Sequence, residues 1–339
     1  MTAKLNLTRE QILAFRRRVS SLDSRLPMSP ESLRHAAWAG LQDSMPRAAL
    51  LSIHARVSDT QPDTIYDESL LQIWGPRFSA YVIPAVDRAV FTLSRMPEDD
   101  RGRTRAESEA ARLRKMIGDQ KVGHHDIGAQ LGGDPNALRY GTATGEIAIR
   151  WEGARQPTIW MLPRPDTSPE DARLEMARRF LHVFGPTTAL RFAAWAGITD
   201  RAGEASFQSM AAEMTEVSTP IGDAWILTAD EPTMRQAATQ PALGRLLPSG
   251  DTYFLAWGKE RELLVEDEAQ RAQLWTTRVW PGAVLVAGEI VGVWRRANEK
   301  VTIETWRQLS ASERASVEEE ATGLPLPGLT KQISVSWGG

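Results

Sequence analysis

Three consecutive polar side chains, Gln42, Asp43 and Ser44, follow a segment rich in small and apolar residues. An amide or a hydroxyl can hold a water molecule without the cost of burying a charge. A carboxylate that faces the same space can act as a base. Because Asp and Ser are also favoured N-caps, the sequence leaves both catalysis and helix capping open for Asp43 and Ser44.

The polar run lies where two predicted helices meet. Small helix formers surround Trp38 up to Gly40, which tolerates the left-handed angle of a C-terminal cap. Pro46 suits the first turn of the next helix, since its missing N–H is no loss there. We therefore predict that residues 33–57 form two helices joined by a turn that carries the candidate site.

Length and composition limit the class of protein. At about 100–200 residues per domain, a chain of 339 residues suggests two to three domains. The absence of cysteine excludes disulfides and thiolate metal sites and favours a reducing compartment. No secretory segment and no apolar run of about 20 residues is present, so we expect a cytoplasmic protein without a membrane partner.

Arginine dominates the basic residues. Six of the 40 basic residues are lysine, and the other 34 are arginine. The net charge of −3 and the pI of about 6.0 are unlike a typical nucleic-acid-binding domain, whose pI usually exceeds about 9. Arginine nevertheless offers a planar fork that suits phosphate, although a codon bias would produce the same composition.

The pattern of three helices followed by a β-hairpin occurs three times along the chain, and this is the order of elements in a winged helix. We predict winged-helix units at residues 1–96, 106–163 and 168–228, with a polar linker at 97–105. Short alternating segments with tight turns then predict an antiparallel, β-rich C-terminal domain at 229–339. The predicted fold class is therefore α+β.

Two parts of the chain resemble each other directly. Residues 33–43 (LRHAAWAGLQD) and 190–200 (LRFAAWAGITD) are identical, or exchange Leu for Ile, at nine of eleven positions. The two tryptophans in these segments lie 157 positions apart. This similarity supports tandem copies of one unit, and tandem units create a concave surface.

Several segments resemble a known family in its own order: LQDSMPRAALLSIHARV, IWGPRFSAYVIPAVD, ARRFLHVFGPTTALRFAAWAG, LLPSGDTYFLAWGKERELLV and VLVAGEIVGVWRR. The chain resembles the bacterial winged-helix DNA-binding family that includes the AlkZ-type DNA glycosylases. The resemblance implies tandem winged helices around a positively lined cavity of DNA size. For catalytic members it also implies excision of bulky N-alkylated purines.

The resemblance extends only in part to the family's active motif, which is a glutamine, an aliphatic residue and a second glutamine. Gln42 matches the first position, whereas Asp43 and Ser44 depart from the other two. A further departure is Ser249–Gly250 before Asp251, where relatives more often have an apolar or aromatic residue.

The chemistry implied by this resemblance needs little acid catalysis, because an N-alkylated purine already carries positive charge and leaves readily. A held water and stabilisation of an oxocarbenium-like sugar are the useful contributions. On this hypothesis Gln42 holds the water and Ser44 is a second acceptor. Asp43 acts as a base or stabilises the cation.

Basic residues near the predicted turn, wings and C-terminal hairpin can bind phosphate as bidentate donors, and solvated surface charge is the alternative for each. His54 is either a core histidine or a phosphate contact. The predicted DNA contacts are Arg47, His54, Arg56, Arg77, Arg150, Arg155, Trp294, Arg295 and Arg296. The histidines lack metal-ligand spacing, so we expect no metal and no cofactor.

We therefore expect a monomeric, nucleoid-associated protein that binds double-stranded DNA, alkylated DNA included. Its predicted activity is hydrolysis of the N-glycosidic bond of alkylated or adducted purines. One alternative is a DNA-binding protein without catalysis, either a transcriptional regulator or a protein that sequesters a DNA-reactive small molecule. A structural protein that uses its hairpins for protein contacts is a third possibility.

Overall fold

A computed structural model describes residues 4–43, 45, 48–128, 137–152, 156–236, 241, 244–329 and 331–338. Within these ranges the chain has a mixed α+β fold with three sheets. No helix in them is both long and apolar enough to span a bilayer.

The N-terminal region begins as its sequence predicts. Thr8 and Gln11 form a capping box that starts the first helix, and Ser29 caps the second. The elements of this region are β1 (Leu5–Asn6), α1 (Arg9–Val19), α2 (Pro30–Ala36), β2 (Leu41–Gln42), α3 (Ala48–His54), β3 (Leu70–Trp74), β4 (Ala80–Pro84) and α4 (Arg88–Thr92).

Two expectations for this region are wrong. Leu41 and Gln42 form an edge strand rather than part of a turn between helices, because they pair with Val82 and Tyr81. The predicted linker at 97–105 contains the start of a long helix, since the Asp99 side chain accepts a hydrogen bond from a backbone N–H of the first helical turn.

The middle of the chain contains two further sets of helices that each precede a hairpin. The first set is α5 (Asp100–Ile117), β5 (Val122–Gly123), α6 (His124–Gly128), α7 (Ala137–Gly141), β6 (Ile147–Arg150) and β7 (Thr158–Met161). The second set is α8 (Pro169–Phe184), α9 (Ala189–Ala196), α10 (Asp200–Ser209), β8 (Met214–Thr219), β9 (Gly222–Leu227) and α11 (Glu231–Met234).

The C-terminal region is built around a five-stranded sheet of order β10-β11-β12-β13-β14. Ser310 and Glu313 form a capping box that starts its last helix, and residues 334–337 form an edge strand that pairs in parallel with residues 300–303. The elements are β10 (Gly244–Leu247), α12 (Glu260–Leu264), α13 (Glu268–Leu274), β11 (Gly282–Val286), β12 (Glu289–Ala297), β13 (Lys300–Thr305), α14 (Ala311–Thr322) and β14 (Ser334–Trp337).

The first two hairpins do not form separate sheets. β3 and β6 pair through Gln72 and Ile149, so the first two hairpins join in one six-stranded sheet of order β2-β4-β3-β6-β7-β5. β1 pairs in parallel with β8, which ties the N-terminus to the third hairpin. The first region is therefore not an independent unit.

The similar segments around Trp38 and Trp195 have different environments. Trp195 lies within α9, is fully buried and packs against Phe180 and Phe184 of α8. Trp38 follows the end of α2 and is half-buried beneath the guanidinium of Arg179. Sequence similarity thus accompanies two different packing roles.

Candidate functional site

Strand β2 carries the candidate site at the edge of the six-stranded sheet. Gln42 pairs with Tyr81 of β4, and the next backbone N–H, that of Asp43, donates to Ala80 O at 2.8 Å. Because successive side chains of a strand point to opposite faces, Gln42 and Asp43 have separate surroundings.

Gln42 is half-buried where the C-terminal region meets the sheet. The Arg77 guanidinium donates from Nη2 to Gln42 Oε1 at 3.2 Å. Since arginine has only donors, the amide oxygen, and not the nitrogen, must face it. A Cβ atom added at Gly250 would lie 3.5 Å from Gln42 Cδ, an ordinary van der Waals distance, so the C-terminal loop packs against the amide, and the φ of +76° is what favours glycine there.

Arg77 lies in the tight turn between β3 and β4 and contacts two other parts of the chain. Its backbone has a φ of +54°, in the left-handed region. Its guanidinium carbon lies 4.6 Å from the centroid of the Trp257 ring. A Cβ at Gly197, just after α9, would come within 2.9 Å of the Arg77 backbone nitrogen. These two segments, together with Gln42, therefore limit where Arg77 can point.

Further positively charged residues lie on α9 and just after Trp257 in sequence. Lys259 and Arg191 line a cavity next to the N-terminus of α9, and the Arg191 guanidinium lies against Gly258. Within the described ranges neither of these two side chains forms an ion pair. Burial, and then the charge of Arg191, lower the pKa of Arg261 from its ordinary value. These cations were not among the predicted contacts, because the packing of Arg191 against Gly258 depends on tertiary structure.

Asp43 has a structural role. Its Oδ1 atom accepts a hydrogen bond from the backbone N–H of Ala49 at 3.0 Å, in the first turn of α3. Its Oδ2 atom accepts from Gln72 Nε2 at 2.6 Å, and Gln72 Oε1 accepts from the Trp151 backbone N–H. The capping alternative is therefore confirmed for Asp43, and its catalytic role stays a prediction. Ser44, Arg47 and Arg155 lie outside the described residues.

The predicted DNA contacts of Arg56 and Trp294 need correction. Arg56 is 1 % exposed and forms a bidentate ion pair with Asp251, at 2.7 and 2.8 Å. The Trp294 indole is buried, and its N–H donates to Leu247 O at 2.9 Å. Neither side chain reaches the surface, so neither can contact DNA in this structure.

The remaining predicted contacts have varied environments. His54 is half-buried near Arg25 and Arg245, and burial lowers its pKa to about 3. Arg295 and Arg296 are exposed at the end of β12. Arg150 lies beside the rings of Tyr66 and Trp160. For these residues and for Arg77, DNA binding stays a prediction.

Comparisons with known proteins agree with this architecture. The family described as "DNA glycosylase AlkZ-like" matches residues 35–325. No curated protein matches the chain. The structure is similar to the Streptomyces sahachiroi DNA glycosylase AlkZ, with a TM-score of 0.77 and 16 % sequence identity over 98 % of this chain and 100 % of that one. By the extent of the family match, the chain belongs to the AlkZ-like DNA glycosylase family.

Proposed function

We propose that this protein hydrolyses the N-glycosidic bond of alkylated or adducted purines in duplex DNA, as a monofunctional glycosylase. One observation carries the proposal: the Gln42 amide is half-buried, and the Arg77 guanidinium orients its oxygen. Membership of the AlkZ-like family and the fold of the Streptomyces sahachiroi DNA glycosylase support it.

The oriented amide can hold the attacking water. An amide oxygen has two lone pairs and its nitrogen has two donors. The Arg77 hydrogen bond fixes which way this amide faces, and an amide held in one orientation can position the attacking water. The cationic purine needs no general acid, so the protein must place the water and exclude other nucleophiles.

We also propose a DNA-binding architecture from the order of elements. The helices and hairpins at 1–96, 106–163 and 168–228 would act as three winged-helix units, and 229–339 as a β-rich C-terminal domain. Their cations would face one duplex bound by a monomer. A protein with this activity would work in the cytoplasm, on the nucleoid.

The test is base release from a duplex containing one N7-alkylguanine, measured under single-turnover conditions. Loss of a water-positioning group predicts that Gln42→Ala lowers the rate at least about 100-fold. The matched control is Gln208→Ala, on the exposed face of α10, which should retain the full rate. If the unmodified protein releases no base from small or bulky adducts, the enzymatic proposal fails.

A DNA-binding protein without catalysis is the second candidate. The observation in its favour is that both carboxylate oxygens of Asp43 already accept hydrogen bonds, so this departure from the family motif offers no uncommitted base. A regulator should prefer one operator over random duplex by about 10³-fold or more. A repair protein should prefer a lesion whatever sequence surrounds it.

A further inference from the structure

The outer face of the six-stranded sheet carries a row of alternating cations and aromatic rings. Lys121 Nζ lies 5.1 Å from the centroid of the Trp160 ring. The Arg150 guanidinium lies 5.9 Å from the same ring and 5.2 Å from that of Tyr66. We call Lys121, Trp160, Arg150 and Tyr66 the aromatic ladder.

Strand register explains why Trp160 and Arg150 share one face. Trp160 of β7 pairs with Ala148 of β6. Arg150 lies two residues beyond Ala148 on β6, so the Arg150 and Trp160 side chains are diagonal neighbours. The alternate residues Ile147, Ile149 and Ile159 are fully buried against α5 and α7. Trp160 and Arg150 therefore lie on the face of β6 and β7 that α5 and α7 leave uncovered.

The ladder is accessible and positively charged. Lys121 is exposed, Trp160 is half-buried, and Tyr66 is 36 % exposed. In the part of the chain that the structure describes, Lys121 and Arg150 contact rings and form no ion pair with a carboxylate. By contrast, Arg179 and Arg314, which also lie over tryptophan rings, each pair with a carboxylate.

The recess beside the ladder is too small for a base. It is bounded by Tyr66, Trp160 and Arg150, with Asp43 and Gln72 further in. The Asp43 and Gln72 side chains are already hydrogen-bonded to each other. A ligand must therefore lie along the surface of the rings instead of entering between the strands.

We propose that the aromatic ladder binds unpaired nucleotides of a DNA strand, with bases on Trp160 and Tyr66 and phosphates on Lys121 and Arg150. Every base has a π-face, and cations beside stacked rings are the usual means of binding single strands without sequence preference. The inference rests on the proposed function, because it adds a site for the strand that opens beside a lesion.

The test uses the full-length protein and a fluorescein-labelled dT12 oligonucleotide, with affinity measured by fluorescence anisotropy. Trp160→Ala should weaken dT12 binding about tenfold or more, whereas Trp160→Phe should retain most of it. Lys121→Ala changes an exposed residue and should reduce the salt dependence of dT12 binding by about 0.7 in slope. Binding of a fully paired 12-mer should change much less than dT12 binding.

A matched control is Trp337→Ala. The Trp337 ring also lies beside an arginine, Arg314, at 4.4 Å, but on the C-terminal sheet and with a carboxylate partner. This variant should bind dT12 as the unmodified protein does. Unchanged dT12 affinity in Trp160→Ala and Lys121→Ala would overturn the proposal, as would equal losses for dT12 and duplex. Base release from N7-alkylguanine duplex by the unmodified protein is a separate measurement, so the two proposals can fail independently.

Discussion

At the residue scale, the orientation of the Gln42 amide depends on Arg77. The arginine can only donate, so it selects the amide oxygen. Its own direction is limited by the Trp257 ring and by the close approach of Gly197. Arg77 is thus a positioning residue in the proposed reaction, acting through Gln42.

Arg77→Ala should lower single-turnover base release by about 10- to 100-fold, the worth of a hydrogen bond to a charged group. Arg77→Lys should recover part of the rate, because it keeps a donor and the charge. In a Gln42→Ala background, Arg77→Ala should cause little further loss. Additive losses would mean that Arg77 acts independently of the glutamine.

His54 makes the free energy of unfolding depend on pH. Burial, with added repulsion from Arg25 and Arg245, lowers its folded-state pKa to about 3. The unfolded chain takes up this proton near pH 6.5, so stability falls as pH decreases from about 6.5 towards 3, by up to about 1.4 kcal/mol per pH unit. Between pH 7 and pH 5, the unmodified protein should therefore lose about 2 kcal/mol more than His54→Gln.

The measurement for His54 is urea unfolding at the two pH values. His125→Gln serves as the control, because that histidine is exposed at the start of α6. It should lose as much stability on acidification as the unmodified protein. An equal loss in His54→Gln would show that other groups cause the pH dependence.

At the scale of the element, the start of α3 depends on a residue outside the helix. The Asp43 carboxylate accepts hydrogen bonds from the Ala49 backbone N–H of α3 and from the Gln72 side chain of β3. Because Asp43 directly follows β2, this one side chain links α3, β2 and β3. This arrangement keeps β2, and with it Gln42, in register with β4. The departure from the family motif at this position therefore has a structural explanation.

Asp43→Ala should lower the free energy of unfolding by about 1–2 kcal/mol, the range for a lost N-cap. Asp43→Asn can still accept from Ala49 and should be less destabilised. If capping is the main role, Asp43→Asn should also retain base release. A rate lowered as strongly as in Gln42→Ala, with stability preserved, would instead identify the carboxylate as a catalytic base.

At the scale of the whole molecule, a buried ion pair connects α3 to the C-terminal region. Arg56 and Asp251 are each 1 % exposed. Asp251 also accepts from Ser52 Oγ at 2.6 Å and from the Tyr253 backbone N–H at 2.9 Å. The neighbouring Gly250 lies against Gln42, so this pair holds the loop at the candidate site.

Asp251→Asn should destabilise the protein by about 3–5 kcal/mol, because it leaves a buried guanidinium without its charge partner. The double variant Arg56→Met/Asp251→Asn should recover part of that loss. The measurement is chemical denaturation of Asp251→Asn, Arg56→Met and the double variant, which together form a double-mutant cycle with the unmodified protein. A double variant as unstable as the sum of the single changes would show that the two side chains do not stabilise each other.

Local sequence determined the elements whose signals are short-range. The capping boxes at Thr8 and Ser310, and the end of α8 before Gly185, follow from hydrogen bonds and backbone angles within a few residues. The same kind of signal failed at 97–105, where charged residues resemble a linker although Asp99 can cap a helix. Helix capping by Asp43 was one of two alternatives that local chemistry allowed.

Only the tertiary structure decided which residues surround Gln42 and which arginines remain accessible. Strand pairing across 77 residues joins the first two hairpins, from Gln72 to Ile149. An ion pair across 195 residues removes Arg56 from the surface, although nothing near it in sequence distinguishes it from an exposed arginine. Such contacts depend on how distant segments pack, because the residues near a side chain in sequence do not specify which distant residue it will contact.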